Sequence, residues 1–443
     1  MKNSSRVGKL LALLATLALF ASACGSDETA TGGDGPVTVC ELAYYTGDFG
    51  DLGSTLTNDI AFPINEVINE DPPLGREWTL VSEDLGTVGE AQAARACIET
   101  HEAEVIVSIA HGYREYRDYM LEIWEENDSP IVPSVHGGAI PGNIGGQASE
   151  PIFRAQGLDA GLGTSGILYA EDQGFGNVVI METEVEGFLL ASDAAAGAAD
   201  FVGIDVLERI TSQPSQPSYR SEIETIAALS PDAVILQANS VDSATIIKQA
   251  AEAGVSLNWI GETGLFEPEF IDTLGAENLA SQASVGIAAF SADQSSDAWA
   301  TYASLWDATE ANAEFGEADN SYHYSTYDVM VQTALAVEAA GSYLASDWSA
   351  AMRDVGSAPG TECSDYATCL ALIRDGEDID YNGVTGSGDY TEGGVNDVAA
   401  AYTPFNTDGS LGDAVFLDSA RQLEIVDAVA PVATCDDDNV CDW

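Results

Sequence analysis

The sequence predicts an α/β protein built as two similar lobes around parallel sheets. Three observations carry this. From Val37 onward, strand-like apolar runs alternate with helix-like stretches. Runs such as Val105–Ile109 are apolar at every position, as expected of parallel strands covered on both faces. Segments Cys97–Val107 and Ile226–Leu236 also look alike. Each is a helix end and an acidic turn, then Ala-Glu-Val-Ile-Val or Asp-Ala-Val-Ile-Leu. Repeated βα blocks in one chain point to two lobes of one architecture.

Taken in order, the first block has strands at Val37–Tyr45, Trp78–Ser82, Val105–Ile109 and Ile131–Ser134. Its helices are Asp59–Asn69, with apolar residues at helical spacing, a segment to His101 opened by the capping box Thr87-Val88-Gly89-Glu90, and Tyr113–Asn127. The second block has strands at Asn177–Met181, Val206–Ile210, Val234–Leu236 and Asn258–Ile260. Its helices are Gly187–Ala199, one opened by the capping box Ser221-Glu222-Ile223-Glu224, and Ser243–Ala253 closed by Gly254. The last third is helical through Ala298–Ala311 and Tyr327–Leu344, then β-like, with Asp408-Gly409 a hairpin turn.

The N-terminus addresses the chain out of the cytoplasm. Lys2, Arg6 and Lys9 precede the apolar run Leu10–Phe20, too short for a membrane span of about 20 residues. Ala21-Ser22-Ala23-Cys24 resembles a lipobox, in which Cys24 would carry the lipid and residues 1–23 would be removed; Ala21 stands where that pattern prefers Leu. The alternative is an ordinary signal peptide cut after Ala23. Residues 24–36 read as the lipidated cysteine and a flexible tether. Beyond residue 23 the chain has 11 basic against 73 acidic side chains, a formal charge of −62, with Lys248 the only lysine. That excludes nucleic acid and anionic membrane surfaces as partners. The acids are dispersed among apolar positions, so the chain is a folded one. Such a surface suits high salt, with an acidic proteome as the bland alternative.

Without Cys24, six cysteines remain, and 15 pairings are open. Cys363 with Cys369 and Cys435 with Cys441 have the spacing of local loops, which leaves Cys40 for Cys97.

The ordered series Thr46-Gly47-Asp48-Phe49-Gly50, Glu83-Asp84-Leu85-Gly86-Thr87, Ile131-Val132-Pro133-Ser134, Ile152-Phe153-Arg154, Lys248–Gly254, Ile260-Gly261-Glu262, Tyr327-Asp328 and Gly376–Gly386 resembles the leucine/branched-chain-amino-acid-binding family of type I periplasmic binding proteins. The resemblance runs from Val37 to the C-terminus. It implies two Rossmann-like lobes with parallel sheets, residues 37–155 plus 292–384 and residues 156–291 plus 385–443. Three crossovers would join them in a hinge that closes on a ligand. Ligands of open α/β sheets lie beyond the carboxyl ends of the strands. Carried over residue by residue, the implied contacts are Phe49, Leu52, His111, Gly112, Tyr113, Ser134 and His136 on the first lobe. On the second they are Glu186, Asn239, Glu262 and Thr263. Leu52, Glu186 and Asn239 stand where amino-acid binders resemble one another in having tyrosine, and His136 where they tend to have a hydroxyl. A plain leucine pocket is therefore not implied.

Other motifs have bland readings. Gly161-Leu162-Gly163-Thr164-Ser165-Gly166 matches a dinucleotide fingerprint, but no all-apolar strand precedes it, so it reads as a helix entry and no cofactor is assigned. His111, His136 and His323, with Glu182, Glu184 or Glu262, admit a metal site, ligand contacts or no role; no metal is assigned. No Gly-x-Ser-x-Gly, His-Glu-x-x-His or phosphate loop points to an enzyme. The resemblance therefore implies a lipid-anchored receptor outside the cell membrane that hands a small polar solute (an amino acid, amide or small carboxylate) to an ABC permease. A ligand-sensing module of the same fold, or an exported hydrolase, are the competing functions.

Overall fold

The computed structural model describes residues 35–46, 53–108, 113–127, 132–135, 152–309, 315–316, 318–390, 394–396, 398–429, 434–435 and 441–442. The first strand, β1 (Val37–Ala43), is buried along almost its whole length, and α1 (Gly53–Glu66) returns the chain to β2 (Trp78–Asp84). The one-turn α2 (Leu85–Val88) and α3 (Glu90–Glu99) lead to β3 (Val105–Ser108); α4 (Tyr113–Asn127) leads to β4 (Val132–Val135), and β5 (Phe153–Arg154) follows. These strands form one sheet in the order β2-β1-β3-β4-β5, with every pairing parallel. Strand order with helical returns is what uninterrupted apolar runs demand, because both faces must be covered.

The chain then builds a second sheet. Its helices and strands alternate as α5 (Asp159–Asp172), β6 (Asn177–Thr183), α6 (Glu186–Val202), β7 (Asp205–Ser212), α7 (Arg220–Leu229), β8 (Ala233–Gln237), α8 (Ser240–Glu252), β9 (Asn258–Gly261), α9 (Pro268–Leu274), α10 (Ala276–Leu279) and β10 (Ser284–Phe290). It returns to the first half with α11 (Asp297–Ala308), α12 (Ser321–Ala340), α13 (Ala345–Asp354), β11 (Thr361–Cys363), α14 (Tyr366–Arg374), β12 (Ile379–Gly383) and β13 (Gly386–Ser387). Finally β14 (Ala400–Pro404) and β15 (Val415–Phe416) join the second sheet, and α15 (Ser419–Val429) packs on α5 and α6. The seven-stranded order is β15-β14-β10-β9-β8-β6-β7, parallel from β7 to β10 and antiparallel at β14 and β15.

Three connections join the halves, and they are laced together. Arg154 N–H donates to Gly394 O at 2.7 Å, Asn396 N–H to Arg154 O at 2.8 Å, and Ser291 N–H to Ala399 O at 3.0 Å. The Arg154 guanidinium is buried and donates to the carbonyls of Gln156 and Gly157. At Gly394, with φ +80°, an added Cβ would sit 2.2 Å from Ile152 O, so only glycine permits this approach. α12 is buried nearly all round, and the Asp328 carboxylate at its middle grips the third connection. It accepts from Tyr381 Oη (2.8 Å), Val384 N (3.1 Å), Thr385 N (2.6 Å) and Thr385 Oγ1 (2.7 Å).

Cys40 is bonded to Cys97, and Cys363 to Cys369. Cys435 lies opposite Cys441 in a two-stranded ribbon. Several expected details differ. Thr87 caps nothing: its hydroxyl donates to Asp84, and Gly89 precedes α3. Ser221 lies inside α7, with its hydroxyl on Glu222. The predicted helix Tyr327–Leu344 starts earlier and stops at Gly341, whose left-handed φ of +63° closes α12 before α13 begins. The Gly161–Gly166 motif lies within α5. A Cβ at Gly163 would sit 1.8 Å from Ala191 O, so this glycine serves the close packing of α5 on α6. Among the described residues, no helix is long and apolar enough to cross a membrane, and no cluster of His, Cys, Asp and Glu could hold a metal ion.

Candidate functional site

A cavity of about 370 Å³ opens at the carboxyl ends of β6, β8, β9 and β10. Its position follows from local sequence. β8 is a fully buried apolar strand, Ala233-Val234-Ile235-Leu236, ending in the polar Gln237. β9 ends at Gly261, and Glu262 follows at the turn. At Gly264 an added Cβ would lie 2.6 Å from Glu262 Oε1, so a side chain there would displace the Glu262 carboxylate from its present place. One wall is apolar, with Leu162 from α5, Phe188 and Ala191 from α6, and Phe290 from the end of β10. The other is polar, with Gln237, Asn239, Ser240, Glu262, Thr263 and Glu267. Gln156 on the first connection and Tyr322, near the start of α12, close the side toward the five-stranded half. Gln156 Nε2 donates to Ser321 Oγ at 3.2 Å, which ties that connection to α12.

The electrostatics are one-sided. Glu262 is buried, and burial raises the carboxyl pKa of Glu267 above its ordinary value. Among the described residues, no basic side chain lines the cavity. Against this stand the N-termini of α6 and α8, whose helix dipoles favour negative charge at the same opening. The arrangement offers acceptors for an ammonium or amide and a field for a carboxylate.

Of the residues expected to touch a ligand, Asn239, Glu262 and Thr263 line this cavity together. Asn239 is partly committed elsewhere, since its Oδ1 accepts from Asp242 N at 2.9 Å as the cap of α8. Glu186 is the first residue of α6, between the lining residues Val185 and Gly187. Tyr113 is not on the cavity wall. Its buried ring packs edge-on against Tyr116 in the core around Cys40 and Cys97. Ser134 lies in β4, in register with Val107 and Phe153. Phe49, Leu52, His111, Gly112, His136 and Cys24 lie outside the described residues. His323 is not at the cavity: it is buried beside Asp59 (Nδ1 to Oδ1, 2.7 Å) and stacks on Trp306. The expectations omitted Gln237, Phe188, Phe290, Gln156 and Tyr322. A polar residue closing an all-apolar strand was a usable signal for Gln237.

The sequence pattern of the periplasmic binding protein family matches residues 36–362. No curated protein sequence matches the chain. Solved structures share the fold at low identity. A leucine-binding protein of Thermotoga maritima is 17% identical, with a TM-score of 0.65 over 86% of this chain and 99% of its own. A branched-chain amino acid transporter substrate-binding protein of Streptococcus pneumoniae, in complex with isoleucine, is 14% identical, with a TM-score of 0.63 over 86% of this chain and 99% of its own. An ABC-transporter solute-binding protein of R. palustris, in complex with benzoate, is 15% identical, with a TM-score of 0.62 over 91% of this chain and 98% of its own.

Proposed function

The chain belongs to the periplasmic binding protein family, and we propose that it is the solute receptor of an ABC importer, held outside the cell membrane by a lipid on Cys24. In this reading it captures a small polar solute between its lobes and makes or breaks no bond. The lobes are residues 37–155 plus 292–384 and 156–291 plus 385–443. In this reading the solute sits at the cavity beyond β8 and β9, and Phe49, His111, Gly112, Ser134 and His136 are the contacts expected of the first lobe. Tyr113 is withdrawn from that set because its ring belongs to the core.

The observation that carries the reading is the cavity's charge pattern: Glu262 and Glu267 beside the N-termini of two helices. An amino acid or related zwitterion satisfies both, whereas a simple carboxylate satisfies only the helix ends. The test is direct. The solute that co-purifies with the protein is identified by mass spectrometry, and its affinity is measured by calorimetry for wild type and Glu262→Gln. Loss of the charge should weaken an amine-bearing solute by tenfold or more, since a bond to a charged group contributes about 1.5–3 kcal/mol. An unchanged affinity would remove the solute from this cavity.

A further inference from the structure

The carboxyl ends of β6, β8 and β9, at and just behind the cavity wall, carry more acceptors than an amine alone would use. Glu182 in β6 and Gln237 in β8 stand opposite each other in register, and Glu262 follows Gly261, the partner of Leu236. The three therefore fall on one face of three adjacent strands, at their carboxyl ends. Glu182 and Gln237 are almost completely buried. Glu182 Oε1 accepts from Arg209 Nε at 2.8 Å and Thr211 Oγ1 at 2.6 Å. Its Oε2, and Gln237 Oε1, have no hydrogen-bond partner among the described residues. Buried acceptors are costly to leave unpaired, so groups of this kind await either a ligand or an ordered water.

Resting on the solute-capture reading above, we infer that Gln237, backed by Glu182, is a specificity-determining residue that reads a second, N–H-bearing group on the solute. Neighbouring strands lie about 4.8 Å apart, so Gln237 and Glu262 can each take one donor from a small solute. A guanidinium, a second ammonium or a primary amide supplies such donors. The methyl groups of leucine do not, and neither does benzoate. Phe188 and Phe290 then flank the stem between the two polar ends. A purely apolar side chain laid on this floor would bury the acceptors unpaired, which is how a polar site rejects an analogue that lacks the donor.

Calorimetry on the full mature chain with L-arginine, L-glutamine, L-leucine and benzoate tests this. At least one of L-arginine and L-glutamine should bind tenfold or more tighter than L-leucine, and benzoate should bind weakest. Gln237→Leu should weaken that donor-ended probe by tenfold to a hundredfold and close the gap to L-leucine. The ligand-free melting temperature should stay level or rise, because the variant removes an unpaired buried group; a merely structural glutamine would lower it. Tighter binding of L-leucine or benzoate by wild type overturns the inference and leaves solute capture standing. So does a Gln237→Leu variant that binds the donor-ended probe normally, which would mean that water fills the floor. If none of the four probes binds, the inference and the amine-binding reading of the cavity fall together.

Discussion

The two halves of the molecule bury charge in different ways. The half built on the five-stranded sheet holds Glu41, Asp59, Glu90, Glu104, Arg117, Arg154, His323 and Asp328 out of solvent, and both described disulfides lie in it. Among the described residues, the seven-stranded half buries only Glu182, Asp242 and Glu262, each at the carboxyl end of a strand or the start of a helix. Among the buried acids of the first half, Asp328 and Glu41 are cross-links. Asp328 takes four donors, and Glu41 accepts from Ser82, Tyr45 and Thr57. In the second half Asp242 is a cross-link too, accepting from Ser215 N, Tyr219 Oη and Asn239 Nδ2, whereas Glu182 Oε2 and Gln237 Oε1, at the strand ends beside the cavity, have no hydrogen-bond partner among the described residues. A saturated buried acid holds structure, whereas an unpartnered buried acceptor beside a cavity is available to a ligand.

The largest expected effect breaks the saturated side. Asp328→Ala leaves two backbone N–H groups and two hydroxyls without their acceptor, all in the core. Stability should fall by about 3–5 kcal/mol, the range for removing one partner of a buried charged network. A denaturant titration followed by circular dichroism measures it. Gln237→Leu in the same assay should cost nothing, and equal losses would erase the contrast between the halves. Next comes Cys40→Ala with Cys97→Ala. The bridge closes a loop of 57 residues, which in the chain-entropy model stabilises by about 4 kcal/mol. The Cys363–Cys369 loop spans 6 residues, so its removal should cost about 2 kcal/mol. A larger loss from the short loop would show that strain or packing, and not chain entropy, governs these bridges.

Most of the fold was legible in the sequence, because short β-branched apolar runs such as Val234–Leu236, set between helical stretches, read as buried strands and repeated βα blocks fix their neighbours. What was not legible depended on local competition. Thr87 and Ser221 have the spacing of caps, but an acid two or three residues away, or the next residue in the helix, took their hydroxyls. Asn239 lines the cavity and also caps α8, a second role that the strand-end pattern does not announce. The cavity was legible only in part, since Glu262 and Thr263 follow a strand end that the pattern reveals. Phe290 and Tyr322 enter it from segments distant in sequence, brought in by packing that no local pattern encodes.

The smallest expected effect uses pH to separate the halves. Burial raises the carboxyl pKa values of Glu41, Asp59 and Asp328 above their ordinary range, against the hydrogen bonds that would lower them. The native state then keeps protons that the unfolded chain has released. Stability is therefore fully present below the unfolded pKa near 4, and is lost as pH rises through the folded values. Asp84, partly exposed and held down to about 2 by Thr87, acts in the opposite sense, but only below pH 4, so the windows do not overlap. The melting temperature should rise when pH is lowered from 7.5 to 5. Relief of self-repulsion among 73 acidic side chains acts in the same direction, so the slope alone does not assign the cause. Asp328→Asn does, because it removes one buried proton site while changing the surface charge hardly at all. Its melting temperature should depend less on pH than that of wild type, whereas Glu267→Gln, on the exposed rim of the cavity, should change the slope less. If both variants keep the wild-type slope, the dependence belongs to the acidic surface, and the buried acids of the first half are not what pH reads.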